Sequence, residues 1–153
     1  RGAVIEQAIV WEEDGIRLKC KPDIFLPRPG FDTDVQLDIK TPKDPSPAEW
    51  SSFSSFAPMQ SYRYDMQVAA HYPRGIELLT SKPCASGVIV VGKEYPHVVY
   101  CYNTTEYRFA GELWRRKALD AIARCRETGV WRDPLQDVVT TLPTPPEWTY
   151  PKD

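Results

Sequence analysis

The chain has 153 residues, 42% of them hydrophobic and 26% charged, with a formal net charge of −2. That is one domain's length with an ordinary globular composition, and so small a net charge excludes a broadly basic, histone-like binder while leaving room for a locally basic groove. No apolar run reaches the length of a transmembrane helix and no signal-peptide pattern opens the chain, so a soluble cytoplasmic protein with no membrane partner is expected.

The first residue is Arg1 rather than methionine, and a strand-like run begins close behind it, which reads as a piece of a longer protein. Ala3 to Trp11 is rich in Val and Ile and alternates loosely, as a strand does. Glu12-Glu13-Asp14-Gly15 is a turn signal, with glycine supplying positive φ, and Ile16 to Leu26 returns as the partner strand carrying Asp23. Pro27, Pro29 and Gly30 break it; Val35 to Thr41 follows as a third strand, ended by Pro42 and Pro45. Ser46-Pro47-Ala48-Glu49 predicts a helix start, with Ser46 as N-cap, for a short helix over 47–56. A longer helix is predicted over 61–72, with Tyr64, Val68 and either His71 or Tyr72 sharing a face, and Pro73 and Gly75 stopping it.

Gly87 to Gly92, with Val88 to Val91 between, is an apolar run of the buried-strand type, and His97 to Tyr102 fits as its hairpin partner. Thr104 or Thr105 caps a last helix over 106–127, with Phe109, Leu113, Leu119 and Ile122 inward and Gly129 at its end. The order of three strands, two helices, two strands and a helix predicts an α/β fold, a mixed sheet flanked by helices. Residues 1–133 form the domain, and the proline-rich tail 134–153 is expected to pack on it in extended form. Cys20, Cys84, Cys101 and Cys125 are widely scattered with no C-x-x-C pair, so reduced thiols are expected and no iron–sulfur cluster.

Two short segments carry chemistry. Lys21-Pro22-Asp23 and Asp38-Ile39-Lys40 set two carboxylates on neighbouring strands, where they can converge on a hard divalent cation. Lys40, two residues after Asp38, shares its strand face and brings a cation beside an attacking water. By itself the pair also fits two strand-end aspartates and a solvated lysine. Pro22-Asp23, a gap, then Asp38-Ile39-Lys40 resembles the PD-(D/E)xK nuclease signature.

Downstream, Tyr64-Asp65-Met66-Gln67 through His71-Tyr72 resembles the Q-x-x-x-Y region that follows D-x-K in the RecB-like branch of those nucleases. Add Cys20-Lys21-Pro22-Asp23, Ser46 to Trp50, and Glu6 ahead of Val10-Trp11-Glu12, and the ordered set resembles the RecE-type exodeoxyribonucleases (exodeoxyribonuclease VIII) of prophages. The likeness runs from Glu6 to about Tyr72 and, more loosely, into the last helix. It implies a restriction-endonuclease-like core lacking its first helix here, and hydrolysis of linear double-stranded DNA from its ends, 5′ to 3′, in phage-type recombination. It also implies roles. Asp23, Asp38 and the Ile39 carbonyl would hold Mg²⁺ or Mn²⁺. Lys40 would orient the water or offset transition-state charge. Gln67 would position the scissile strand or the water, Tyr72 would contact the DNA backbone, and Glu6 would sit behind the metal or beside a second ion. The implied partners are duplex DNA ends, a single-strand annealing protein and further copies in a ring-shaped homo-oligomer.

Two departures stand out. The family's tyrosine falls four residues after the glutamine, where this chain has His71; Tyr72 is fifth. Either His71 substitutes or a local helix irregularity restores Tyr72, and Tyr72-Pro73-Arg74-Gly75 keeps the family's tyrosine-to-glycine spacing. The histidine that helps hold the metal ahead of the first strand has no counterpart before Val4. Two other readings therefore stay open: a repair or CRISPR-adaptation nuclease of the same fold, and a truncated or degenerate nuclease fold that only binds DNA or a protein. His71 and His97 read as structural, and Trp50, Trp114, Trp131 and Trp148 as packing residues. Arg115-Arg116-Lys117, with Arg124 and Arg126, reads as a solvated face or a phosphate contact.

Overall fold

The computed structural model describes residues 2–50 and 62–131. The second half of the helix expected over 47–56, the start expected at Ser61, and the tail with Trp148 lie outside them. Strands β1 (Val4–Ile5), β2 (Ile9–Glu13), β3 (Ile16–Cys20), β4 (Ile24–Leu26) and β5 (Asp34–Lys40) come first. A short helix α1 (Pro47–Trp50) follows, then α2 (Tyr64–Met66), a π-helical turn (Gln67–His71) and α3 (Tyr72–Thr80). Strands β6 (Cys84–Val91) and β7 (Val99–Asn103) and helix α4 (Arg108–Thr128) complete the order.

One sheet has the strand order β1-β4-β5-β6-β7, and β2 and β3 form a separate hairpin. Strands β5 and β6 run parallel while the other neighbours are antiparallel, so the sheet is mixed. The two expected opening strands each divide in two. Glu6 takes a left-handed backbone at φ 50° between β1 and β2. Pro22 has no N–H to extend a ladder, so β3 stops at Cys20 and Asp23 stands just ahead of β4 rather than within a strand. Asp14 and Gly15, at φ 52° and 71°, give the β2–β3 hairpin the two successive positive φ angles of a primed turn.

The core forms two clusters on one face of the sheet. Ile9, Cys20, Phe25, Ile76 and Cys84 join in one, and Trp50, Val68, Val88 and Val90 in the other. Both Cys20 and Cys84 are free thiols, and burial pushes their ionisation up, to about 11 and about 12.

Pro73 and Gly75 do not end the second helix as expected; it runs on to Thr80. Gly75 serves packing instead: a Cβ there would meet the Trp11 ring at 2.8 Å and Cys20 Sγ at 2.9 Å. The last helix also turns a different stripe inward. Gly111, Arg115 and Leu119 are buried, while Phe109 and Leu113 are exposed. A Cβ on Gly111 would fall 2.0 Å from the Asp65 carbonyl oxygen, so only glycine admits that approach. Thr104 precedes a 3₁₀ turn (Thr105–Tyr107), but its hydroxyl bonds Ser86 Oγ at 2.7 Å instead of capping.

Contacts divide the chain into two compact units, Arg1–Asp120 and Ala121–Asp153. Of the second, residues 121–131 are described. They hold the end of α4, where Thr128 Oγ1 donates to the Arg124 carbonyl at 2.8 Å and Gly129, at φ 68°, follows. No helix among the described residues is long and apolar enough to cross a membrane.

Candidate metal and catalytic site

Strand β5 reverses the usual pattern of a central strand. Asp34, Gln36 and Asp38 are buried and Lys40 continues their row, whereas Ile39 on the alternate face is 42% exposed. A buried row of polar side chains is costly unless each group has a partner. Their partners build the site.

Asp23 is fixed from two sides. Its Oδ2 accepts the Ile39 N–H at 2.6 Å, and its own carbonyl accepts the Glu6 N–H at 2.9 Å. The left-handed turn at Glu6 thus ties β1 to the Asp23 segment by backbone. Glu6's carboxylate points to Lys21 Nζ at 2.7 Å, in an exposed pair that holds its pKa below the ordinary glutamate value. Ile39 joins the site through its N–H. Asp38 sits between Asp23 and Lys40, forming an ion pair with the Lys40 ammonium. Burial raises the Asp38 carboxyl above the ordinary aspartate range, Lys40 pulls it down, and the nearby Asp23 carboxyl adds to the rise.

Asp38 Oδ2 is buried, and its partner is the Lys40 ammonium. Two neighbouring carboxylates against one ammonium leave an excess of negative charge, and the donors, half-buried at Asp23 and buried at Asp38, are hard oxygens. That suits a divalent cation of the Mg²⁺ or Mn²⁺ kind. Among the described residues no group of three or more His, Cys, Asp or Glu side chains comes together to hold a metal.

The π-turn decides which residue lies over Gln67. In an α-helix the fourth residue on, His71, would stack there. Here the Tyr72 N–H donates to the Gln67 carbonyl, five residues back, and Gln67 Nε2 donates to the Tyr72 hydroxyl oxygen at 2.7 Å. The next donor in this wider register would be residue 73, a proline with no N–H, which leaves the Val68 carbonyl without an intrahelical partner. Gln36 Nε2, from β5, supplies it at 2.7 Å. Proline is accommodated because a side chain from the sheet replaces the lost bond.

The Tyr72 phenol is pushed up to about 12, first by burial and then by the Asp38 charge, with Asp23 contributing. It stays protonated, and the bond from Gln67 does not use its proton. The same turn swings His71 away to the β2–β3 hairpin, where it meets the Lys19 carbonyl at 2.9 Å and the Trp11 ring at 4.9 Å. Burial lowers its proton affinity. His97, at φ 56°, bonds the Gly92 carbonyl in a turn.

The basic run on α4 is a solvated face apart from Arg115: Arg116, Lys117, Arg124 and Arg126 are exposed. Arg115 is 3% exposed and makes two bonds of 2.9 Å to Glu13, with Glu112 on its other side. Arg116 pairs with Asp14 at 2.6 Å, and Lys117 lies over the Trp114 ring at 4.6 Å. Trp114 itself is half-exposed, held between Lys117 and Arg63 rather than packed inside. Glu13 is lowered to about 2, chiefly by its bonds from Arg115.

The structure thus brings Asp23, Asp38, Ile39 and Lys40 together, sets the Gln67–Tyr72 pair within electrostatic reach of the two aspartates, and turns the Glu6 carboxylate to Lys21. Sequence reasoning missed Gln36 and Tyr64. Gln36 had a signal, a polar residue midway between Asp34 and Asp38 on a core-facing row. Tyr64 carries the Lys40 ammonium 4.4 Å above its ring.

Residues 2–135 match the family described as a PDDEXK-like domain of unknown function (DUF3799). The chain belongs to that family. Its mixed sheet with flanking helices is a PDDEXK-like fold, and nucleases of this superfamily generally use divalent metal ions. The crystal structure of a candidate exonuclease from Eubacterium rectale is similar to this PDDEXK-like domain, with a TM-score of 0.65 and 15% identity. The match covers 90% of this chain and 57% of that one, so the DUF3799 chain spans little more than half of that protein. At such identity the likeness concerns the fold. No curated protein matches the sequence.

Proposed function

We propose that this domain is a metal-dependent deoxyribonuclease, an exonuclease that hydrolyses linear double-stranded DNA 5′ to 3′ in the manner of RecE in phage-type recombination. One observation carries the nuclease reading: the Asp23 and Asp38 carboxylates neighbour each other beside Lys40, whose ammonium pairs with Asp38 Oδ2. A divalent ion held by these carboxylates, with the Ile39 carbonyl as a third oxygen, would polarise the scissile phosphate and acidify the attacking water.

The chain's own residues do the rest. Lys40 holds its ammonium beside Asp38 and offsets charge that builds on the phosphate. Tyr72, protonated at neutral pH, offers its proton to a phosphate oxygen while Gln67 fixes the hydroxyl. Glu6 acts through its backbone grip on Asp23. The exonuclease polarity, the ring-shaped oligomer and a single-strand annealing partner belong to the same reading through the sequence resemblance, and the name of the Eubacterium rectale neighbour is in keeping with the exonuclease part.

The test is digestion of linear and closed-circular duplex DNA with Mg²⁺ or Mn²⁺, comparing the chain with Lys40→Ala. Loss of linear DNA alone, abolished in the variant, is expected. Nicked circles would replace the exonuclease with an endonuclease of the same fold. No cleavage by a folded, metal-loaded chain would overturn the reading for this domain.

A further inference from the structure

Five aromatic rings form a pile that runs from the half-buried Tyr100 on the edge strand β7 to the surface beside Lys40. Tyr100 stacks on Tyr102 at 6.1 Å, Tyr102 on Trp50 at 5.8 Å, and Trp50 on Tyr64 at 6.3 Å. Tyr62 leans on Tyr64 at 5.6 Å and 31°. The inner rings are pinned by polar ends: the Tyr102 hydroxyl donates to the Pro45 carbonyl at 2.8 Å and Trp50 Nε1 to the Asp44 carbonyl at 3.3 Å. The outer ring is different. Tyr62 is 69% exposed, although it is supported from behind by this fixed column.

A cavity of about 330 Å³ opens at that end, lined by Lys40, Thr41, Pro42, Trp50, Tyr62 and Tyr64 among others. That volume is at the lower end of the roughly 300–1,000 Å³ typical of small-ligand pockets. Among the described residues its lining is chemically one-sided: aromatic faces along the wall, Lys40 at the edge, and no acidic side chain. The cation is the same Lys40 that pairs with Asp38.

We propose that this cavity is a nucleobase subsite: it takes the base next to the scissile phosphate, unpaired from its complement and stacked on Tyr62. The inference rests on the nuclease reading and names the form of DNA that reaches the site. An aromatic column ending in an exposed ring offers a flat face to any base, which gives stacking without sequence preference. Lys40 at the rim attracts the attached phosphate toward the carboxylate pair. A base inside a duplex has both faces covered, and a terminal base is still held at its edge by its complement, so entry into a walled cavity requires a frayed or single-stranded end. The subsite therefore selects strands already opened by a nucleotide or more. An apolar protein side chain could occupy the same volume, but it would bring no phosphate to the carboxylate pair beside Lys40.

The experiment scans 2-aminopurine through each position of a short single-stranded oligonucleotide and reads its fluorescence with protein in EDTA, so that no hydrolysis is needed. One position should quench on binding. Tyr62→Ala should remove that quench and weaken binding about tenfold, while Tyr62→Phe, which keeps the ring, should preserve both. In Mg²⁺, an abasic site at the quenched position should raise KM about tenfold for the wild-type protein and add nothing further for Tyr62→Ala. A flat scan, or equal binding by Tyr62→Ala and the wild type, would overturn the subsite. Quenching without any cleavage would instead sink the nuclease reading and leave the subsite standing.

Discussion

The hydrogen bond from Gln36 to the Val68 carbonyl should govern whether the π-turn survives, and Gln36→Leu tests it. Leucine has nearly the same volume and cannot donate. The Val68 carbonyl, buried and denied an intrahelical donor by Pro73, would then be unsatisfied, which costs about 1–3 kcal/mol. Part is offset because Gln36 Oε1, buried without a partner, leaves with it. The net loss should be about 1–2 kcal/mol, and at this size each kcal/mol lowers Tm by roughly 2–4 °C. Urea denaturation followed by circular dichroism would measure it. Gln36→Glu should cost more at neutral pH, because an anion would face a carbonyl and stand between Asp34 and Asp38. Amide exchange at Tyr72 gives the local readout, and in Gln36→Leu it should accelerate more than exchange in β6. An unfolding midpoint equal to the wild type's, with unchanged exchange at Tyr72, would refute this account of how the helix passes Pro73.

Other consequences can be checked alongside. Adding Mg²⁺ or Mn²⁺ should raise the wild-type Tm, by about 2.7 kcal/mol of stabilisation at a concentration 100 times Kd, and should leave Asp38→Asn unmoved; an equal shift in both would remove Asp38 from the metal site. Glu13 has its folded ionisation depressed to about 2, so its bond to Arg115 stabilises fully above its ordinary value of 4.5 and is lost as pH falls from there toward 2. Glu13→Gln should therefore cost about 2 kcal/mol at pH 7, with the gap to wild type narrowing on acidification in denaturation curves; a gap constant from pH 7 to pH 3 would contradict the pairing. Gly111→Ala would drive a methyl into the Asp65 backbone, which cannot move aside as a side chain could, and should cost about 3 kcal/mol or more; near-wild-type stability would mean the two helices are not in that contact.

The sequence makes β5 and its carboxylate–x–lysine triplet legible because period-two spacing alone puts Asp38 and Lys40 on one face, and the strand came out as Asp34–Lys40. Its neighbour β6 was readable only in its second half, from the apolar run Val88 to Val91; the first half, from Cys84, was not. What escaped has distant partners. Proline in a helix normally marks its end, and the donor that lets this one continue is 32 residues away in sequence. Phe109 and Leu113 look like core residues by composition. The stripe that is buried instead contains Arg115, whose Glu13 partner is 102 residues off and appears in no local pattern. The division of the opening strands at Glu6 and Pro22 followed from local chemistry that a reading for alternation passes over.

The π-turn has a consequence for how such sites are found. A wider turn holds one extra residue for the same rotation, so a helix can gain an amino acid without moving the side chains on either side of it. Gln67 and Tyr72 meet at a separation of five in this chain, and a motif written with a fixed gap of four would align His71, a residue turned toward the hairpin, in the tyrosine's column. Relatives with and without such an insertion would then show a histidine–tyrosine polymorphism that no protein has undergone. Aligning by turns of helix rather than by residue count keeps the hydroxyl in register, and shows a one-residue length difference where a substitution had been scored.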